Sequence, residues 1–116
     1  MSLLTIKVDE RDVEQGECGS SVLCPIALAA DRALRELFAG SRVAVNVGGS
    51  VIEVWVNSGP NDMPDLTLLL PEEARDFIAA FDAQEDEEYE AHTEKRRPPM
   101  PGAFEFTVTV PDMVQP

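Results

Sequence analysis

The sequence predicts an α+β fold: a single, mostly antiparallel or mixed sheet of about five strands, with two main helices on one of its faces. Three observations carry this prediction. Several segments alternate apolar and polar residues with the period of two that a one-sided strand shows. Two other segments carry apolar residues at helical spacing, each directly after a proline. Their order along the chain is strand, helix, three strands, helix, strand.

A strand and a short helical turn are predicted at the N-terminus. The apolar residues of the strand, at alternate positions, are Leu4, Ile6 and Val8. Asp9 is suited to cap a helical turn that runs to Gln15. Gly16 is suited to end it, because glycine tolerates the left-handed conformation common at helix ends. Residues 17–23 are rich in Gly and Ser and predict a loop.

The main helix is predicted over residues 26–38. Pro25 fits its first turn, where a backbone N–H is not needed, and Gly40 is suited to end it. The apolar stripe consists of Ile26, Ala30, Ala33, Leu34, Leu37 and Phe38. Such a stripe indicates one buried helix face.

A β-hairpin is predicted next, with strands at 42–47 and 50–56. We expect Gly48 and Gly49 to form its two-residue turn, since both tolerate positive φ. That turn pairs Val47 with Ser50, Val45 with Ile52 and Val43 with Val54. The residues expected on the buried face are Val43, Val45, Val47, Ile52, Val54 and Val56.

The other face of the hairpin carries the candidate interface. It presents Val51, Glu53 and Trp55 away from the predicted core, and the expected register places Arg42 directly opposite Trp55. Because an exposed tryptophan is a frequent binding hot spot, we predict that these side chains contact a partner. Two alternatives stay open. Either Arg42 stacks on the indole, or a loop or the polar insertion described below folds over it.

A further strand, a second main helix and a final strand complete the predicted order. The further strand contains Leu66, Leu68 and Leu70. Pro71 opens the helix, whose apolar stripe is Ala74, Phe77, Ile78 and Phe81. The apolar positions of the final strand are Phe104, Phe106, Val108 and Val110. All three segments need to bury an apolar face, so we expect them to share one core.

A polar insertion is predicted at about residues 84–101. It is acidic up to Glu94, basic at Lys95, Arg96 and Arg97, and rich in proline after that. Because it has little apolar surface to bury, we expect it to be exposed and mobile and to contain no stable helix or strand. The chain 1–116 is otherwise predicted to form one domain.

The formal net charge of −13 limits the partners of this chain. A surface with 22 acidic against 9 basic side chains repels phosphate, so we expect binding to neither nucleic acid nor membranes. An acidic mimic of nucleic acid stays open as an alternative function. No apolar run approaches the length of a membrane helix, and the N-terminus lacks the charge order of a secretory signal. We therefore predict a cytoplasmic protein.

No catalytic, cofactor-binding or metal-binding motif is found in the sequence. Cys24 precedes Pro25 at the start of a helix, where the helix dipole can lower the pKa of a thiol. A thiol-dependent enzyme or redox sensor centred on Cys24 is therefore an alternative. Against it, the only histidine, His92, lies in the polar insertion, and we expect Cys24 to be an ordinary thiol with a modestly lowered pKa. Cys18 and Cys24 match neither a redox nor a zinc motif.

Four stretches of the chain carry a family resemblance. They are Gly19-Ser20, Cys24-Pro25-Ile26-Ala27-Leu28-Ala29, Leu70-Pro71-Glu72-Glu73-Ala74-Arg75-Asp76-Phe77-Ile78-Ala79-Ala80-Phe81-Asp82 and Phe104-Glu105-Phe106. In this order they resemble a group of small uncharacterised proteins encoded by actinobacterial phages, prophages and their hosts. The polar insertion departs from that group. The resemblance implies a phage or actinobacterial cytoplasm and supplies no catalytic residue.

These observations predict a protein-binding module, acting through the sheet face that carries Trp55, Glu53, Arg42 and Val51 or through the acidic insertion. We expect its partner to be another protein or a second copy of the chain, as in a homodimer. No cofactor, metal or enzymatic activity is assigned.

Overall fold

A computed structural model describes residues 2–17, 20, 22–84 and 99–111. The elements in chain order are β1 (Ser2–Val8), α1 (Glu10–Gln15), α2 (Pro25–Leu37), β2 (Val43–Val47), β3 (Val51–Val56), β4 (Leu66–Leu69), α3 (Glu72–Asp82) and β5 (Phe104–Val110). The predicted α+β class is confirmed. Most of the predicted polar insertion, residues 85–98, lies outside the described residues.

The strands form two sheets where a single sheet was predicted. β1 pairs antiparallel with β5, and β2, β3 and β4 form an antiparallel sheet in that order. β4 and β5 lie next to each other, but in the described part of the chain no ladder of backbone hydrogen bonds joins them. The sequence pattern could not reveal this gap, because alternation reports which face of a strand is buried and not which edge is paired.

Both sheets turn their apolar faces to the same core. Its largest fully buried side chains include Ile6, Val8, Ile26, Leu34, Ile52, Val54 and Leu68. α2 packs on β1 and β2. Phe77 of α3 stacks on Phe104 of β5, with ring centroids 4.7 Å apart. One core therefore joins elements from both ends of the chain.

The β2–β3 hairpin turns one residue later than predicted. The backbone N–H of Gly48 donates to the carbonyl oxygen of Val51 at 2.8 Å, so the turn consists of Gly49 and Ser50. Neither glycine has a positive φ. The observed pairs are Val43 with Val56, Val45 with Val54 and Val47 with Ile52. Because this register differs from the predicted one by two residues, each side chain stays on its predicted face.

The main helix runs from Pro25 to Leu37, one residue earlier at each end than the predicted 26–38. Cys24 is its N-cap and Pro25 its first residue, and Gly40, just beyond its end, has φ of 88°. One residue of the predicted stripe is misplaced: Leu37 is exposed, and Phe38 is the buried residue at this end. Phe38 has already left the helical conformation, so helical spacing no longer decides which side chain points inward.

A buried carboxylate fixes α1 to α2. The side chain of Asp12 accepts hydrogen bonds from Arg32, at 3.0 Å from Nη1 and 2.8 Å from Nη2. Asp9 and Asp12 also bond to each other's backbone N–H in a capping box. Burial raises the pKa of Asp12, but the hydrogen bonds from Arg32 and from the Asp9 backbone outweigh burial and hold the pKa below its ordinary value.

Gly16 ends α1 for a different reason from the one predicted. Its backbone is extended, with φ of −70° and ψ of 151°, and is not left-handed. A Cβ atom at this position would lie 2.5 Å from Cδ of Pro25. Glycine is therefore needed here because the start of α2 approaches the chain closely.

Candidate functional site

Trp55, the centre of the predicted interface, is covered in the structure. Its side chain lies outside the core cluster, as predicted, but the residue is only 5% exposed. The loop 57–65 lies against the ring, and Nε1 of the indole donates to the carbonyl oxygen of Asp62 at 2.9 Å. The expectation of an open Trp55 is therefore wrong, and the alternative in which a loop folds over it is observed.

Aspartate side chains hold this loop in place. Asp65 accepts hydrogen bonds from the backbone N–H of Val56 at 2.7 Å and from the Ser58 hydroxyl at 2.8 Å, and both lower the pKa of Asp65. Asp62 accepts from the N–H of Gly59 at 3.1 Å. The composition of residues 57–64 predicts a loop. The place where that loop lies depends on these side-chain contacts, which composition does not reveal.

Arg42 has a different neighbour from the one predicted. Ala44 is the residue that pairs with Trp55. The N–H of Arg42 donates to Oδ1 of Asn57 at 2.9 Å, and its carbonyl oxygen accepts from the N–H of Asn57 at 2.7 Å. Asn57 has a left-handed φ of 60°, a conformation that asparagine adopts more readily than most residues. The predicted pairing of Arg42 with Trp55 is therefore wrong.

A cavity of about 550 Å³ lies beside the start of β2. Arg35 of α2 and Arg42 line it together with the loop residues Asn57, Ser58 and Asp62. Arg35 donates from Nε to the Asp31 carboxylate at 2.8 Å. The guanidinium of Arg42 has no hydrogen bond or ion pair with another described residue. The cavity is thus lined by an exposed residue, Arg42, whose side-chain donors are not used by the described part of the chain.

Glu53 and Val51 are half-buried on the outward side of β3. The carboxylate of Glu53 accepts from Nδ2 of Asn46 at 3.0 Å. Val51 lies opposite Leu69 in the β3–β4 ladder, and Glu53 lies opposite Thr67. Both side chains point outward, as predicted. They are less exposed than Thr67 and Leu69, the outward side chains of the neighbouring strand β4.

The most exposed apolar side chains of the strands lie near the place where the two sheets meet. Leu3 and Leu69 are each 76% exposed. A cleft of about 320 Å³ lies between β4 and β5, with Thr67, Leu69, Thr107 and Thr109 in its lining. On the β1–β5 sheet, Leu3 lies opposite Thr109 and Thr5 lies opposite Thr107. We call the uncharged surface formed by these residues the seam patch: Leu3, Thr5, Thr67, Leu69, Thr107 and Thr109.

Sequence reasoning missed the seam patch. Alternation does place these threonines and leucines on the outward face of their strands. It gives no sign that β4 and β5 are neighbours, because the two strands are separated by α3 and by the polar insertion.

Cys24 is a buried helix cap. Its Sγ accepts from the N–H of Ala27 at 3.4 Å. Burial raises the pKa of the Cys24 thiol, and the charge of Asp82 raises it further, although backbone hydrogen bonds oppose the change. The predicted modest lowering is therefore wrong. A thiol that resists ionisation is a poor nucleophile at neutral pH, and His92 lies outside the described residues.

Comparison with known proteins assigns no family to the chain. No protein-family model, curated protein or solved structure matches it significantly. Within the described ranges, no group of three or more His, Cys, Asp and Glu side chains could hold a metal ion. The helices in the same ranges include none with the length and apolar character to cross a membrane.

Proposed function

We propose that this chain is a protein-binding module that acts through the seam patch, and that a second copy of the chain is the partner seated there. The observation that carries the proposal is an uncharged, partly apolar surface on a chain with a formal net charge of −13. Charged residues are depleted at the centres of protein interfaces, and covering Leu3 and Leu69 removes apolar surface from water.

Charge favours a second copy at this place on the molecule. The six residues of the patch are uncharged, and the nearest charged side chains, Glu53 opposite Thr67 and the cross-strand pair of Lys7 and Glu105, lie at its rim. A surface that meets itself is the ordinary arrangement in two-fold dimers. The acidic residues elsewhere oppose association through repulsion at longer range. Salt shortens the reach of that repulsion, from about 10 Å at 0.1 M to about 3 Å at 1 M ionic strength. A dimer built on the patch should therefore strengthen as salt is added.

The sequence predicts a single sheet, and the proposal keeps that prediction for the outer surface: the outward side chains of β4 and β5 would contact the same partner. Side chains of the partner would enter the cleft between the two strands. Among the residues first predicted for the interface, Val51 lies beside Leu69 and belongs to the rim of the patch. Trp55 is covered by its own loop and contributes no contact.

The test replaces both exposed leucines, as Leu3→Ser with Leu69→Ser. Met63→Ser is the matched control, because Met63 is 88% exposed but lies in the loop 57–65 and does not line the cleft between β4 and β5. Light scattering at rising protein and salt concentration should show the wild type and the Met63 variant approaching the mass of a dimer. The double variant should remain monomeric with an unchanged circular dichroism spectrum.

Two outcomes would count against this proposal. A double variant that dimerises as the wild type does would remove the patch from the interface. A wild type that stays monomeric at every salt concentration would exclude a second copy. A protein retained from host lysate by the wild type and the Met63 variant, and lost with the double variant, would then identify a foreign partner at the same patch.

A further inference from the structure

The two arginines that line the cavity beside β2 differ in the hydrogen bonds that they already make. Arg35 donates to the Asp31 carboxylate and, at 3.3 Å, to the carbonyl oxygen of Val43. Arg42 uses only its backbone, in the two hydrogen bonds with Asn57. A guanidinium carries five N–H donors in a planar fork that matches a carboxylate or a phosphate. Arg42 is exposed and lines the cavity, so its unused guanidinium is free to meet an anion there.

The remaining wall of the cavity is organised before any ligand arrives. The backbone of Arg42 is fixed to Asn57, and the N–H of Gly59 is fixed to the carboxylate of Asp62. The indole of Trp55 holds the backbone of Asp62 in turn. A site whose walls are already fixed loses little conformational entropy on binding. A volume of about 550 Å³ is also in the range of small-molecule sites.

Charge at longer range does not prevent an anion from reaching Arg42. The formal net charge of −13 repels anions, but at physiological ionic strength this repulsion is screened beyond about 8 Å. At shorter range, Arg42, Arg35 and Asp62 line the cavity. Two further acids are already bonded to lining residues: Asp31 to Arg35 and Asp65 to the hydroxyl of Ser58, each at 2.8 Å. The Asp62 carboxylate already accepts a hydrogen bond from the N–H of Gly59, so part of its hydrogen-bonding capacity is used.

We propose that this cavity binds a small molecule through an oxyanion group, a carboxylate or a phosphate, which Arg42 holds directly with Arg35 as a second cation. The site shares no residue with the seam patch, so it goes beyond the proposed function, and either proposal can be wrong without the other. Asp62, at the edge of the same cavity, favours a ligand whose other end carries hydroxyl or amine donors.

Titration with inorganic phosphate, and separately with acetate, tests the site. Both are added at constant ionic strength while backbone amide signals are followed by NMR. We expect saturable shifts in the millimolar range at Val43, Asn57, Ser58 and Gly59. Arg42→Gln should weaken the affinity by about tenfold or more, as loss of a charged hydrogen-bonding partner implies. Arg42→Lys keeps the positive charge but not the planar fork of donors, so its affinity should lie between those of the wild type and Arg42→Gln.

Arg75→Gln is the control, because it removes the same charge from an exposed position on α3 that does not line the cavity. Its affinity should equal that of the wild type. Saturation by phosphate alone assigns a phosphate ligand, and saturation by acetate alone assigns a carboxylate. Shifts that never saturate, or that are equal in the Arg42→Gln and Arg75→Gln proteins, reflect general ionic effects and would overturn the proposal.

Discussion

The side chain of Trp55 is buried against its own chain because its indole N–H finds a hydrogen-bond acceptor there. An indole has a large apolar area and one N–H donor, and the donor must be satisfied if the ring is buried. The carbonyl oxygen of Asp62 supplies that acceptor, and Asp62 and Asp65 hold the loop in the position that allows it. A residue that would be a binding hot spot if open therefore acts as an anchor for a loop.

We expect Trp55→Phe to lower the free energy of unfolding by about 1–3 kcal/mol, because it leaves the Asp62 carbonyl without its donor and removes part of the ring. Denaturant titration followed by circular dichroism measures the change. Asp62→Asn is the control: it keeps the backbone acceptor for Trp55 and should have a smaller effect. Since Trp55 is the only tryptophan, fluorescence of the wild type also reports on it directly. Ready quenching by acrylamide would contradict a covered ring.

At the scale of elements, α1 depends on α2. With six residues, α1 is too short to be stable as an isolated helix. Its capping box satisfies the helix start, and the paired hydrogen bonds from Arg32 to Asp12 fasten it to α2. Because the Asp12 side chain is nearly inaccessible to water while Arg32 is half exposed, the carboxylate is the member of the pair that loses most if it is left alone.

The Asp12 carboxylate makes stability depend on pH. Its pKa is lower in the folded chain than in the unfolded chain, where it is about 3.9. The stabilisation is therefore fully present above the unfolded pKa and is lost as the pH falls through the folded pKa. Asp12→Asn should reduce the free energy of unfolding by about 1–3 kcal/mol at pH 7, and the difference from wild type should shrink in acid.

Denaturant midpoints across acidic and neutral pH test this expectation. Asp31→Asn is the control, because it breaks an exposed pair with Arg35 on α2 and should change stability by about 0.5 kcal/mol or less. A difference between Asp12→Asn and wild type that stays constant below pH 4 would show that folding does not lower the pKa of Asp12.

At the scale of the whole molecule, the two sheets are joined by one core and not by hydrogen bonds. Ile6 of β1 and Val54 of β3 are both fully buried in the same cluster although their strands belong to different sheets. α2 crosses between β1 and β2 and covers both. Loosening one sheet therefore exposes the apolar face of the other, and the two should unfold together.

Ile6→Val tests this coupling. It removes one buried methylene and should cost about 0.5–1.5 kcal/mol. Trp55 fluorescence reports on the three-stranded sheet and circular dichroism on the whole chain, and both transitions should move by the same amount. Thr5→Ser, on the exposed face of the same strand, should shift neither by more than about 0.5 kcal/mol. Separate midpoints for the two probes would show that the sheets unfold independently.

The sequence by itself determined where the strands and main helices lie and, apart from Leu37, which side chains face inward. Val45 and Val54 are buried although the hairpin register differs by two residues from the expected one. This is because strand side chains alternate with a period of two whatever the partner strand does. The helix that starts at Pro25 and stops before Gly40 is set in the same way, by local backbone preferences that a short stretch of sequence contains.

Only the tertiary structure decided which surfaces stay open. Four features depend on contacts between different elements and loops. They are the loop that covers Trp55, the raised pKa of Cys24, the edges of β4 and β5 that are unpaired within the described residues, and the cavity at Arg42. Periodicity arises from the geometry of one strand or helix, so it is visible in the sequence. The pairing of edges and the resting place of a loop follow from the free energy of contacts between segments far apart in the chain, and a local pattern does not contain that information.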